Sequence, residues 1–149
     1  MYMLAKGCTG EITVNAQNVK FVQEDTITPL KNVNIVVFAS DANLSIEGLN
    51  ISNEITKRPT DSNTDDKNII NFQGKNNTLI VEGDNKLTLE TVYSGMNPYS
   101  AAIHIGDGLT IKGKGLSSLY VFNKSQSHNP ALGAAIGSNG REKAVRLPL

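Results

Sequence analysis

The chain has 149 residues, of which 39% are apolar, and its 14 basic residues balance its 14 acidic residues. This length suits one domain with a substantial core but not two, so we expect a single domain over residues 1–149. The balanced charge argues against binding to nucleic acid or to an anionic membrane surface. The longest apolar run, residues 35–39, is far shorter than the roughly 20 residues that span a bilayer, so membrane insertion is not expected either.

Val, Ile and Leu dominate the apolar residues and occur in runs that alternate apolar and polar positions, which is typical of short β-strands with one buried face. A weak first unit is predicted through Ile12 and Val14, Val19 and Phe21, and residues 33–37. Three later segments share the pattern Leu-x-Ile/Val-x-Gly, and each is followed by a second short alternating run. They begin at Leu44, Leu79 and Leu109.

A third apolar run closes each unit. Its central residues fall at intervals of roughly 33 in the sequence, at Val37, Ile70, Ile103 and Ile136, and Leu4 extends the series by one interval. A unit with three short strands cannot bury its apolar side alone, so successive units stack and their strands pair in parallel. The pattern predicts an all-β fold, a right-handed parallel β-helix (solenoid) of about four coils with three strands per coil.

This register places Ile111 in the core and Lys112 outside it, because neighbouring side chains of a strand point to opposite faces. The glycine after each first strand suits a corner with a positive φ angle. An antiparallel sandwich is the alternative fold, but it does not account for the recurring third strands.

Residues 106–115, Gly-Asp-Gly-Leu-Thr-Ile-Lys-Gly-Lys-Gly, and residues 133–137, Gly-Ala-Ala-Ile-Gly, resemble carbohydrate-binding β-helix modules of surface and cellulosome-associated proteins of Gram-positive anaerobes. The resemblance covers about half the chain, and Ser138 replaces a glycine of the usual pattern. It implies a scaffold like that of polysaccharide lyases, often with calcium, and by association a preference for plant or cell-surface polysaccharide. Fold analogy does not by itself establish a function.

Four polar stretches follow the second strands, and in a solenoid such insertions share one face, which often carries the binding site. Tyr93 and Tyr99 are the predicted sugar-stacking residues, because an aromatic ring offers an apolar face and tyrosine adds a hydroxyl group. His104 lies between two apolar residues, so alternation directs it outward. The remaining candidate ligand contacts are His128, Lys57 and Arg58.

Asp61, Asp65 and Asp66 gather carboxylate oxygens within six residues, as calcium prefers, and are the candidate metal ligands. The spacing of these aspartates differs from that of an EF-hand calcium loop. A solvated loop without a metal ion is therefore the alternative interpretation. Calcium is therefore a possible cofactor of this stretch.

We expect a non-catalytic module, not an enzyme, that recognises an acidic polysaccharide with possible help from calcium, at an extracellular or cell-surface location. A β-helix polysaccharide lyase is the enzymatic alternative, with Lys57 and Arg58 beside the aspartates, and a structural adhesin or fibre segment is the third. Solenoids end in polar caps, whereas this chain stops on Leu-Pro-Leu. We therefore expect either that the polypeptide continues beyond residue 149 or that the open end pairs with a second copy as a homo-oligomer.

Overall fold

All strand pairs in the structure, a computed structural model that describes residues 1–56, 67–92, 100–125 and 133–140, are parallel. The strands of these residues are β1 (Tyr2–Leu4), β2 (Gly10–Val14), β3 (Asn18–Gln23), β4 (Val33–Val37), β5 (Asn43–Glu47), β6 (Asn50–Ile55), β7 (Ile70–Thr91), β8 (Ile103–Ser125) and β9 (Ile136–Gly137). They join in one curled parallel sheet. The prediction of an all-β fold is confirmed, and the parallel pairing excludes the antiparallel sandwich. No helix of the described residues is long and apolar enough to cross a membrane.

The long strand β7 shows how the sheet curls. Its first residues pair with β4, its middle with β5 and its end with β6, and β8 pairs along nearly its whole length. A straight strand of 22 residues would extend roughly 70 Å at 3.3 Å per residue. Because one strand follows three separate partners in succession, it bends twice and presents three outer faces.

Two glycines allow these bends. A Cβ atom at Gly74 would collide with the backbone carbonyl of Ala39, so only glycine permits the two segments to approach so closely. Gly83 has a φ angle of 60° and Gly48, in the neighbouring segment, has 65°, as predicted for the glycine after each first strand, whereas Gly113, after the third of these strands, has no positive φ angle.

The core consists of apolar ladders that run from strand to strand. Ile35, Ile70 and Ile103 are Cα partners on β4, β7 and β8, and each has 0% exposure. Leu44 and Leu79 form a second ladder. Each such side chain stabilises the fold by about 1.5–3 kcal/mol on burial.

Buried asparagines connect neighbouring segments at the corners. The Asn77 side-chain oxygen accepts a hydrogen bond from the backbone nitrogen of Ala42 at 2.9 Å, and that of Asn85 accepts one from Leu49 at 2.8 Å. Asn53 both accepts from and donates to the backbone of Val33. Backbone groups that turn out of the parallel ladder thereby receive partners, as buried polar groups require.

In the third apolar runs, the observed strand pairing differs from the predicted interval of 33 residues for the first residues of the series, Leu4 and Val37. Ile70 pairs with Ile35, so Val37 pairs with Phe72, and Leu4 pairs with Gln23 outside the series. The interval of 33 holds only for the later members, because Ile103 pairs with Ile70 and Ile136 with Ile103. The segment between β4 and β7 is two residues longer than a constant interval assumes.

The alignment of the Leu-x-Ile/Val-x-Gly motifs was also wrong for the third copy. Leu79 pairs with Ile111, not with Leu109, and Gly113 pairs with Val81. The register changes at an irregularity between Phe72 and Lys75, which precedes Leu79, whereas a second irregularity, between Glu82 and Gly83, displaces only the pairs that follow it. A bulge of this kind shifts every later pair, which a fixed period cannot anticipate.

The prediction that Ile111 lies in the core was wrong as well. Ile111 is 39% exposed, although its partner Leu79 is fully buried. Leu109, two residues earlier on the same side of β8, is 2% exposed. Alternation therefore predicts correctly which side chains point inward. An inward side chain is buried, however, only where a neighbouring segment of the chain covers it.

Candidate functional site

Most of the residues predicted from sequence lie outside the described residues. This applies to the predicted sugar contacts Tyr93, Tyr99 and His128, to the basic pair Lys57 and Arg58, and to the candidate calcium ligands Asp61, Asp65 and Asp66. Their roles remain predictions. The described residues contain no group of three His, Cys, Asp or Glu side chains arranged to hold a metal ion.

His104 is the one predicted site residue that the structure describes. It lies on β8 between Ile103 and Ile105, which are at most 1% exposed, while its own side chain is half-buried on the outer side. Its Nδ1 atom is 2.7 Å from the side-chain oxygen of Asn71, its Cα partner on β7. The sheet therefore fixes the imidazole ring against a neighbouring amide on an outer face.

An exposed aromatic pair occupies another outer face. Tyr120 and Phe122 of β8 are 59% and 47% exposed, and their ring planes are parallel to within 4° with centroids 6.5 Å apart. The residues alternate with Leu119 and Val121, which are only partly exposed and pack against the core. Alternation thus directs both rings out of the same side of one strand.

Polar side chains continue this face across β7 and β6. Lys86 is the Cα partner of Tyr120, and Thr88 is the partner of Phe122. The next strand places Asn50 beside Lys86. We call Tyr120, Phe122, Lys86 and Thr88 the aromatic face; it combines two apolar rings with a cation and a hydroxyl group at fixed spacing.

Sequence reasoning missed the aromatic face because it looked for the binding site mainly in the polar stretches and not on the outer sides of the strands. A signal was nevertheless present. Four successive apolar residues in a strand must expose two of them if only one side meets the core, and aromatic side chains among the exposed two indicate a contact surface.

A small polar groove lies on the same outer face as His104, formed by β2, β4 and the beginning of β7. It has a volume of about 130 Å³. We define the polar groove by its lining residues, which are Glu11, Asn34, Val36, Phe38, Lys67, Asn68, Asn71 and Gln73. Asn71 also bonds His104, so the predicted site residue lies directly beside this groove.

The third outer face, on β3, β5, β7 and β8, carries a network of charges. The Lys20 ammonium group lies 2.6 Å from a Glu47 carboxylate oxygen and 2.8 Å from one of Glu82, and Lys114 lies 3.4 Å from Glu82. Hydrogen bonds to Glu47 and then Glu82 raise the pKa of Lys20, and the bond from Lys20 lowers the pKa of Glu82. These groups neutralise one another, which is typical of a structural network at a solvated surface.

Comparison of the chain with protein-family models, with curated proteins and with solved structures gave no match. The geometry of the outer faces is therefore the observation from which a function can be inferred.

Proposed function

We propose that this protein is a non-catalytic module that binds a polysaccharide through its aromatic face. The observation that carries the proposal is the parallel, exposed arrangement of Tyr120 and Phe122. Aromatic rings stack on the C–H faces of sugar rings, and the tyrosine hydroxyl adds a hydrogen-bonding group. Two rings on one strand offer contacts for successive sugars of one chain.

The strand pairing supports this use because it holds both rings in place. β8 pairs with β7 on each side of the aromatic pair, from Ser117 to Ser125. Residues two apart on a strand are separated by roughly 6.6–6.8 Å, close to the observed distance between ring centroids. A rigid surface of this kind loses little conformational entropy on binding.

The chemistry of the neighbouring residues favours an acidic polymer. Lys86, exposed beside Tyr120, has no ion-pair partner among the described residues, so its ammonium group is available to a sugar carboxylate. Thr88 adds a hydroxyl group that both donates and accepts hydrogen bonds. Calcium held by the aspartates of residues 61–66 and stacking by Tyr93 and Tyr99 belong to the same proposal.

The proposal includes the fold expected from the sequence, a right-handed parallel β-helix. The three successive partners of β7 and the stacked apolar ladders support it, and parallel connections are right-handed in about 98% of cases. An extracellular or cell-surface location suits a protein that binds such a polymer. A polysaccharide lyase, the first alternative, would release unsaturated products. An adhesin or fibre segment, the second alternative, would self-associate without a ligand.

A glycan array with and without calcium tests the function. We expect binding to acidic polysaccharides by the wild-type protein, and loss of most of it when Tyr120 and Phe122 are both replaced by alanine. Stacking of one sugar contributes on the order of 1 kcal/mol, so losing two rings should weaken binding roughly tenfold or more.

Tyr2→Ala is the matched control, because Tyr2 is an exposed aromatic residue of a different strand. It should leave polysaccharide binding unchanged, and both variants should keep the melting temperature of the wild type within a few degrees. Full binding by the Tyr120/Phe122 double variant would show that the aromatic face is not the binding surface. Absence of binding to any glycan, with or without calcium, would refute the function itself.

A further inference from the structure

The polar groove lies on a different face from the aromatic pair and has a different chemistry. Its floor is Val36, which is 8% exposed, and its Cα partner Asn71 forms one wall. The volume of about 130 Å³ is well below the several hundred Å³ of pockets for larger organic ligands. The groove therefore accommodates a ligand no larger than about one small ring.

Two amide side chains of the groove are held in fixed orientations. The Asn34 side-chain nitrogen donates a hydrogen bond to the backbone oxygen of Asn68 at 2.8 Å, and the oxygen of Asn71 lies 2.7 Å from His104 Nδ1. The remaining atoms, the side-chain oxygen of Asn34 and the nitrogen of Asn71, have no hydrogen-bond partner among the described residues. The groove thus offers one oriented acceptor and one oriented donor.

The charges and the apolar wall define the ligand further. Glu11 and Lys67, both exposed, supply one negative and one positive group, so the groove has no net charge that would favour an anion or a cation. Phe38 is 47% exposed and contributes an aromatic surface. Hydroxyl groups donate and accept at once, so a ring with several of them can use the donor, the acceptor and both charged groups.

We propose that the polar groove binds a single neutral sugar ring, at a site separate from the aromatic face. Asn34 and Asn71 bond its hydroxyl groups, and Phe38 contacts its C–H face. His104 is a positioning residue, since its bond to the Asn71 oxygen directs the Asn71 nitrogen toward the ligand. The site does not depend on the proposed binding of a polysaccharide by the aromatic face.

A nuclear magnetic resonance titration tests this site. The probes are the methyl glycosides of glucose, galactose and mannose, added separately to the uniformly ¹⁵N-labelled chain. At least one of them should shift the side-chain amide signals of Asn34 and Asn71 in a saturable way. Shifts confined to residues around Tyr120 and Phe122, or no saturable shift with any of the three, would overturn the proposal.

Two substitutions of similar character separate binding from folding. Asn71→Leu removes the donor at nearly constant size and should weaken the binding of the active glycoside about three- to tenfold, the contribution of one hydrogen bond. Asn43→Leu is the control, because Asn43 is also a half-buried outward asparagine bonded to another side chain, on β5. Equal weakening by the two variants would overturn the proposal.

The positioning role of His104 has its own test. His104→Leu removes the ring nitrogen that bonds Asn71, and we expect binding to weaken about threefold. His104→Gln retains an N–H donor and should restore most of the affinity. If the glutamine variant binds as weakly as the leucine variant at equal melting temperature, His104 does not position Asn71. If Asn71→Leu does not fold, Phe38→Ala replaces it, and unchanged affinity in that variant would contradict the proposed ring contact.

Discussion

Replacing Asn85 by alanine tests whether the corner asparagines hold the fold together. Asn85 is 1% exposed, and its side-chain oxygen accepts a hydrogen bond from the backbone nitrogen of Leu49 at 2.8 Å. Its nitrogen donates to the backbone oxygens of Glu82 and Gly83 at 2.9 and 3.2 Å. One side chain thus satisfies backbone groups of two neighbouring segments.

The expected cost follows from these contacts. Alanine leaves the Leu49 N–H group buried without its partner, which costs about 1–3 kcal/mol, and removes two weaker bonds to carbonyl oxygens. A small void adds to this loss. We expect a total destabilisation of about 3 kcal/mol, which corresponds to a fall in melting temperature of roughly 6–12 °C for a chain of this length.

Urea denaturation followed by circular dichroism measures the free energy of unfolding, with Asn43→Ala as the control. Asn43 bonds only the exposed side chain of Asn18 through its own side chain, so its loss should cost about 0.5 kcal/mol or less. A third variant, Asn85→Asp, places a carboxylate against the Glu82 and Gly83 carbonyl oxygens and should be less stable at neutral pH than Asn85→Ala. Equal losses for Asn85→Ala and Asn43→Ala would refute the corner role.

Three further predictions concern the core, the charge network and calcium. Leu79→Ala should cost about 3–4 kcal/mol and Ile111→Ala about 1 kcal/mol in the same urea assay, because only Leu79 is fully buried; equal costs would contradict the exposure of Ile111. The pKa of Glu82 is lowered, so the stabilisation by its carboxylate is complete above the pKa in the unfolded chain and is lost as the pH falls through the pKa in the folded protein. The pKa of Lys20 is raised, so the stabilisation by its ammonium group is lost as the pH rises through the pKa in the folded protein. Lys20→Met should therefore flatten both limbs of the stability profile against pH, and a profile identical to that of the wild type would exclude the network as a source of stability. Calcium should raise the melting temperature and a chelator should lower it if the three aspartates of residues 61–66 hold the ion, and the triple asparagine variant should not respond; a calcium response that survives in that variant would place the ion elsewhere.

The sequence carried enough information to identify the class of fold. Alternating apolar residues with many β-branched side chains determine strands, and repetition determines that they stack in parallel, because a repeated strand can pair with its own counterpart. Glycines at positions 48 and 83 marked two corners, where positive φ angles are observed. The outward direction of His104 also followed from alternation alone.

The tertiary structure decided the register and the surfaces. The pairing of Leu79 with Ile111 depends on the local irregularity between Phe72 and Lys75, and a difference of one or two residues in a corner does not disturb the hydrophobic pattern that sequence reasoning follows. The interval of 33 residues already places Asn71 beside His104, but only the structure shows that their side chains form a hydrogen bond on the outer face.

Whether an apolar side chain is buried likewise depends on whether a neighbouring segment of the chain covers it, and not on the side chain itself. Ile111 and Leu79 share a ladder, yet only one is covered. Leu119 and Val121 take the inner positions that the alternating run predicts, but only the structure shows that Tyr120 and Phe122 are exposed with parallel rings. The sequence determines which residues can face inward, and the stacking of neighbouring segments decides which of them do so.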